Sequence, residues 1–382
     1  MTTEPKRLPV TLLTGFLGAG KTTVLNRVLK DPALKGAAVL INEFGDIGLD
    51  HLLVEAVDDT VLVLSSGCLC CTIRGELIDT VGDLLDRREA GGVPAFDRII
   101  IETTGLADPA PILQTLTAHP RLAGALVLDG VVTLVDAVNG LSTLDHHRES
   151  LRQVAVADRL IVTKTDLAGP SEALRARLAR LNPAAPVIDG AMADAALFAG
   201  LGPWRADGKI GDVRAWLAAE RHDAAHHQHS DHHHHDHDHP HHDHHHHHGH
   251  PGGQHAHDRN RHDDRIRSFS LSQTRALTPS ALEMFLDLVR AEHGPKLLRY
   301  KGLVKLTDDP ARPVVLHGVQ HVMHPPVRLA AWPDGDATSR LVFIVQDVES
   351  ARIERLFAAF SGEVRIDAPD AAALTDNPLA LR

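Results

Sequence analysis

Val10-Thr11-Leu12-Leu13-Thr14-Gly15-Phe16-Leu17-Gly18-Ala19-Gly20-Lys21-Thr22-Thr23 carries an apolar run straight into a glycine-rich turn. From Gly15 to Thr22 the turn matches the pattern G-x-x-x-x-G-K-[ST]. Val24, Leu25 and Val28 follow at the spacing of one helical face, so the motif lies between a strand and a helix. In that setting the backbone of Gly15, Gly18, Ala19 and Gly20, with the helix N-terminus, cradles phosphate groups. Lys21 reaches the β- and γ-phosphates as a catalytic cation, and the Thr22 hydroxyl, with Thr23 beside it, joins a Mg²⁺ shell. A glycine turn with no ligand is the competing reading, and the flanking strand and helix weigh against it.

Outward from this loop, short apolar runs alternate with helix-like stretches as far as about Val187, the pattern of a parallel sheet covered by helices. The predicted strands are Val10–Leu13, Ala37–Ile41, Val61–Leu64, Arg98–Ile101, Val131–Val135, Leu160–Val162 and Pro186–Ile188. Ligands of such sheets bind beyond the carboxyl ends of the strands. There Glu102 is expected to hold Mg²⁺, and the N–H of Gly105 to contact the γ-phosphate. Lys164 and Asp166 close a later strand in Thr163-Lys164-Thr165-Asp166. A carboxylate at that position accepts from guanine N1–H and its exocyclic amine, whereas adenine offers no matching donor pair. Asn42-Glu43-Phe44-Gly45-Asp46 follows the second strand. Glu43 or Asp46 either positions water or a metal there, or is a solvated loop carboxylate.

Cys68-Leu69-Cys70-Cys71 holds all three cysteines of the chain, after a strand and before a predicted helix from Thr72 to about Arg88. Thiols at a helix N-terminus ionise readily, and three soft ligands suit Zn²⁺ or Cu(I) with one tetrahedral position left open. A redox thiol pair or buried small side chains are the competing readings. Residues 222–262 hold 21 of the 29 histidines, including His232, His233, His234, His235, His244, His245, His246, His247 and His248. Imidazoles on so polar a segment bind Zn²⁺, Ni²⁺, Co²⁺ or Cu²⁺ with little selectivity, unless the tract is only a low-complexity linker. His317, His321 and His324 lie close together further on, and read as surface or core residues rather than ligands.

The 382 residues with 43% apolar content suffice for two domains with buried cores. The expected division is 1–220, a disordered metal-binding linker at 221–264, and a small α+β domain at 265–370. In the last of these, Thr278-Pro279 reads as a helix start, with Leu282, Phe285, Leu286 and Val289 on one face. Ile353, Leu356, Phe357 and Phe360 mark a second helix. Between the two helices, Leu297–Leu306, Val314–Met323, Val327–Trp332 and Leu341–Gln346 read as strands of an antiparallel or mixed sheet. A net charge of −11 argues against a nucleic-acid partner. No run is long enough for a membrane span, the apolar start is too short for a signal peptide, and three crowded thiols fit a reducing compartment. The cytoplasm is the expected location, and a homo-oligomer is compatible with the sequence.

Together these motifs resemble the CobW family of P-loop GTPases. The resemblance runs through Thr14–Thr23, Asn42–Gly45, Gly67–Cys71, Glu102–Pro109 and the Lys164/Asp166 pair. It implies a P-loop NTPase domain of α/β class with a mainly parallel sheet and a smaller α+β C-terminal domain. It also implies GTP with Mg²⁺ as bound nucleotide, and Zn²⁺ carried on the cysteine motif to a client metalloprotein with GTP hydrolysis. Thr163 departs from the asparagine usual in guanine motifs and keeps only one of its hydrogen bonds. The absence of a long insertion between Asp50 and the cysteines favours a zinc chaperone over a cobalt one, and an insertion factor that supplies cobalt, nickel or iron to a specific enzyme is the alternative. A histidine-rich metal store with weak GTPase activity, and a small-molecule kinase on the same loop, are the other readings weighed.

Overall fold

The structure is a computed structural model that describes residues 7–42, 53–58, 61–66, 73–169, 171–198, 265–320, 322–333 and 335–362. The opening apolar run forms β1 (Leu8–Gly15), the central strand of an eight-stranded sheet. Parallel to it on one side lies β5 (Arg98–Glu102), then β2 (Ala37–Asn42) and β4 (Val61–Ser66). On the other side lie β6 (Leu126–Asp136), β7 (Arg159–Thr163) and β8 (Val187–Asp189), also parallel. β3 (Leu53–Asp58) runs antiparallel along β4 at one edge. Parallel neighbours need crossover helices, and α1 (Lys21–Val28), α2 (Ile73–Glu89), α3 (Pro109–Ala118), α4 (Pro120–Ala125), α5 (Gly140–His146), α6 (Arg148–Ala155), α7 (Thr165–Ala168) and α8 (Glu172–Leu181) supply them. Buried on both faces, the central strands are almost wholly apolar: Ile99, Ile100 and Ile101 are inaccessible to solvent.

All seven strands expected in this half are present. β6 is longer than expected, and its register against β1 shifts by one residue near Asp129, a bulge that periodicity does not show. β3 was not foreseen, because Leu53-Val-Glu-Ala-Val-Asp58 carries acidic residues inside a short run.

The second sheet orders β12 (Val322–Met323), β11 (Val314–Val319), β10 (Leu297–Val304), β14 (Ser339–Gln346) and β9 (Ile266–Gln273), with β13 (Val327–Arg328) beside β11. Its strand pairings are antiparallel. The expected single strand over Val314–Met323 is a tight hairpin, with Gln320 in the left-handed region at φ 51°. Helices Pro279–His293 and Ser350–Ser361 cover one face, with Phe285 packed edge-on against Phe343 and Phe357. Thr278 caps the first of them as expected, its hydroxyl accepting from Ala281 N at 3.1 Å. On the other face Ile266, Leu298 and Ile344 join an apolar cluster with Leu151, Val154, Leu160 and Leu178, so this sheet packs onto the nucleotide-binding domain through α6 and α8.

A buried ionic cluster lies in the same interface. Asp158 accepts from the backbone N–H of Val131 at 3.0 Å, from Arg299 and, at 3.0 Å, from Lys301. Arg299 also donates to the Val156 carbonyl and to Nε2 of His317, at 3.0 Å in the latter case. Because a guanidinium only donates, His317 Nε2 accepts, and that imidazole is neutral. His324 stacks on His317 with centroids 4.6 Å apart. The two histidines expected on surface or core are thus both core, while His321 lies outside the described residues. Burial favours a neutral Asp158, but the cationic Arg299 and Lys301 outweigh it and hold the carboxyl well below the carboxylate range. Burial pushes Arg299 down against the pull of Asp158, yet a guanidinium starts high enough to remain charged.

Burial also pushes His317 well down and His324 to about 4, with Arg299 and Lys301 adding to it. Both folded-state pKa values lie below the unfolded value of 6.5, so the unfolded chain takes up these protons first. Stability therefore falls as the pH drops below about 6.5. Urea unfolding at pH 7 and pH 5 should show this loss reduced by about 2 kcal/mol in His324→Leu, the value for one group separated between 6.5 and about 4.

Candidate nucleotide and metal site

β1 ends at Gly15, and the chain turns through Gly18 and Gly20, both with positive φ, into α1. Gly20, at φ 81°, stands at the N-cap of α1 without a side chain to cap it, and the first turn has no acidic residue. Among the described residues no side chain caps this turn, so its orphan N–H groups suit an anion. Lys21 folds back over this turn, its Nζ donating to the carbonyls of Gly15 at 2.8 Å and Phe16 at 3.3 Å. Burial lowers its pKa, and Glu102 acts against that shift. A buried ammonium within this turn matches the need of a polyphosphate.

Glu102 is the last residue of β5 and pairs with Leu13 of β1. Thr22 Oγ1 donates to Glu102 Oε1 at 2.8 Å, so two oxygen donors meet beside the phosphate turn. A hydroxyl and a carboxylate are hard ligands of the kind Mg²⁺ takes alongside phosphate oxygens and water, so the residues fit that ion. Thr103 then anchors the chain through its N–H to Leu13 O at 2.9 Å and its hydroxyl to Thr14 at 2.9 Å. Gly105 follows so close to the phosphate turn that a Cβ on it would stand 2.5 Å from the backbone nitrogen of Leu17. Only glycine admits that approach.

The loop expected to read the base follows β7. Thr163 donates from Oγ1 to Ala19 O at 2.8 Å, so the hydroxyl standing where asparagine was expected ties this loop to the phosphate turn. Lys164 adopts φ 57°, rare for a side-chain-bearing residue, and donates to Asp136 Oδ2 at 2.6 Å. Burial pushes Asp136 up, but the hydrogen bonds from Lys164, Val138 and Asn139 prevail and leave it below the usual carboxylate range. Asp136 closes β6 and escaped the sequence reading, although an acidic residue ending a long apolar strand was a readable sign. Asp166 is exposed, so a bound base is what would desolvate its carboxylate.

Glu43, Asp46, the three cysteines and the histidine tract lie outside the described residues. Among the described residues no group of three His, Cys, Asp or Glu side chains could hold a metal ion. The sheet register nevertheless fixes where the chain enters those segments. Ser66, the last residue of β4, pairs with Asn42, and Ile41 pairs with Glu102. Both strands thus end along the sheet edge that bears Glu102 and Gly15. β4 and β5 are two strand spacings apart, roughly 10 Å.

Sequence reasoning also missed Arg152 and Gln153 of α6. Gln153 is buried and donates from Nε2 to the carbonyls of Gly105 at 3.1 Å and Ala107 at 3.0 Å. Arg152 pairs with Asp108 and reaches Gln346. Polar residues inside a helix carry no sequence mark that separates such contacts from solvation.

The fold and the site define a nucleotide-binding protein of P-loop type, with phosphate turn, magnesium-type donors and base loop on one edge of a mainly parallel sheet. Residues 9–189 match the family described as CobW/HypB/UreG, nucleotide-binding domain, and residues 266–361 match the cobalamin synthesis protein cobW C-terminal domain. The zinc chaperone YjiA of Escherichia coli is 32% identical over 351 residues, which cover 92% of this chain and 98% of that protein. The chain belongs to the CobW family. The zinc-regulated GTPase metalloprotein activator 1 of Schizosaccharomyces pombe is 41% identical over 192 residues, 48% of this chain and 45% of that protein. The crystal structure of Zn(II)-bound YjiA GTPase from E. coli superposes with a TM-score of 0.64 at 29% identity, over 93% of this chain and 99% of that one.

Two substitutions separate the roles in the base loop. Asp166→Ala should weaken GTP and GDP together by about 100-fold while leaving ATP unchanged, since only guanine loses a donor-matched acceptor. Thr163→Val should weaken all nucleotides by about fivefold through the lost bond to Ala19, on the order of 1 kcal/mol. Equilibrium titration with fluorescent nucleotides reads both.

Proposed function

We propose that this chain is a GTP-dependent metallochaperone that holds zinc at Cys68, Cys70 and Cys71 and transfers it to a client metalloprotein with GTP hydrolysis. The observation that carries this reading is the shared sheet edge: β4 and β2, the strands that precede the cysteine and Glu43 segments in sequence, end along the same edge as Glu102 of β5. The names of its relatives, a zinc chaperone and a zinc-regulated GTPase metalloprotein activator, agree with it.

In this reading Lys21 and the N–H groups of Gly15, Gly18, Ala19 and Gly20 bind the phosphates, Lys164 and Asp166 hold the guanine, and Gly105 donates to the γ-phosphate. Thr22 and Glu102 would hold Mg²⁺, which neutralises charge on the β- and γ-oxygens during transfer. Glu43 orients the attacking water. Glu102 belongs to the Mg²⁺ shell, and the cysteines to the next loop but one. Nucleotide control of zinc affinity requires that the GTP and GDP forms differ in their zinc contacts. Zinc is cargo here, and three thiolates with one open position leave room for an incoming ligand from the client. No helix among the described residues is long and apolar enough to cross a membrane, and the cytoplasm is the proposed location. The boundaries 1–220, 221–264 and 265–370 are proposed as GTPase domain, metal-binding linker and C-terminal domain.

The 21 histidines between residues 222 and 262 favour storage as a second role. Deletion of that segment should lower the zinc bound per chain while GTP-dependent transfer to a metal-free acceptor persists. Cys70→Ser should do the reverse. Loss of transfer in the deletion, with Cys70→Ser still active, would identify a metal store instead.

A further inference from the structure

α6 touches three parts of the molecule that must act together. At its N-terminus the ring of His147 lies 4.4 Å from that of Phe16 in the phosphate turn. Within it, Gln153 is only 1% exposed, and its amide donates to the carbonyls of Gly105 and Ala107. The Gln153 backbone is itself fixed, its carbonyl accepting from Thr133 Oγ1 of β6 at 2.8 Å. Beside it Arg152 pairs with Asp108, whose other oxygen caps α3 through Ala110 N at 3.1 Å. The same guanidinium grips Gln346 Oε1 of β14 with Nε at 3.3 Å and Nη2 at 3.1 Å. Just past the helix, Val156 O accepts from Arg299 of β10.

We infer that Arg152 and Gln153 are positioning residues that fix the loop Gly105–Asp108 against the γ-phosphate and make its placement depend on the C-terminal sheet. The inference rests on Gly105 facing the γ-phosphate, and deepens that reading. A buried amide that loses its two carbonyl partners is costly to leave unsatisfied, so Gln153 has one favoured place for the loop. Gly105 has no slack of its own, being packed against Leu17. A shift of β14 that moves Gln346 is therefore felt at Asp108 through a single guanidinium. By reciprocity, nucleotide exchange at Gly105 alters what the C-terminal sheet presents to a partner.

The test uses the full chain and four variants. Gln153→Met keeps the volume and removes both donors. It should lower kcat for GTP about tenfold and reduce the preference for a non-hydrolysable GTP analogue over GDP by a similar factor, with GDP affinity within twofold of wild type. Arg152→Ala and Gln346→Leu should each lower kcat about threefold, and the double variant should lower it no further, because both break one link; Arg152→Lys should restore part of it. Gln346 lies outside the phosphate site, so a merely structural role would shift the unfolding midpoint without altering the GTP-to-GDP preference. Additive losses in the double variant, or an unchanged preference in a folded Gln153→Met, would overturn the inference. Should Gln153→Met not fold, the Arg152/Gln346 pair decides alone. Glu102→Gln serves as the control for the underlying reading: if it hydrolyses GTP at the wild-type rate, the site assignment fails, whereas its loss with intact Gln153→Met condemns the inference only.

Discussion

The hydrogen bond from Thr22 to Glu102, 2.8 Å long, sets how closely the phosphate turn and the end of β5 approach each other. Three residues beyond Glu102, Gly105 lies against Leu17 with no space for a methyl group. These two contacts bring a helix N-terminus, a buried lysine and two oxygen donors to one small region. Nucleotide state can only be sensed where such groups converge, because a ligand shifts a conformational equilibrium only through contacts that differ between states. From this point the structure leads in two directions. One runs across β5 and β2 to the end of β4, where the cysteine segment begins; the other runs through α6 to the C-terminal sheet.

The second route passes through an interface of mixed character. Leu151, Val154, Ile266, Leu298 and Ile344 supply apolar burial, and Asp158 with Arg299 supplies a buried charge pair. Apolar contact alone would tolerate sliding, whereas a buried ion pair needs one geometry. Breaking it from one side costs on the order of 3–5 kcal/mol, because the remaining charge is stranded. Asp158 takes its position from Val131 of β6 and Arg299 from β10, so the register between the two sheets is tied at a site that solvent does not screen. The neutral His317 accepts a further hydrogen bond from the guanidinium without adding a charge.

Much of this arrangement was readable from residues 10–28 alone. An apolar strand, a turn with glycines at fixed offsets and a helix face admit few folds, and Glu102 and the Thr163–Asp166 string followed from where strand ends must lie. What escaped has physical reasons. β9, Ile266-Arg-Ser-Phe-Ser-Leu-Ser-Gln273, carries three serines, an arginine and a glutamine among its eight residues and declares itself only by pairing with β14. Gln153, Arg152, Asp158 and Arg299 are polar residues whose partners lie far away in sequence, 48 positions for Gln153 and Gly105 and 141 for Asp158 and Arg299. Periodicity locates an element's buried face, but not which distant carbonyl or carboxylate it meets. Thr163 was legible as a departure; its partner, Ala19, was not.

The central claim is that nucleotide state governs zinc at the cysteine segment. Its most direct test is anaerobic competition titration of Zn²⁺ on protein lacking residues 222–262, with either a non-hydrolysable GTP analogue or GDP bound. The account predicts affinities that differ by tenfold or more, about 1.4 kcal/mol of coupling, with the difference abolished by Cys70→Ser. Equal affinities in the two nucleotide states would contradict it.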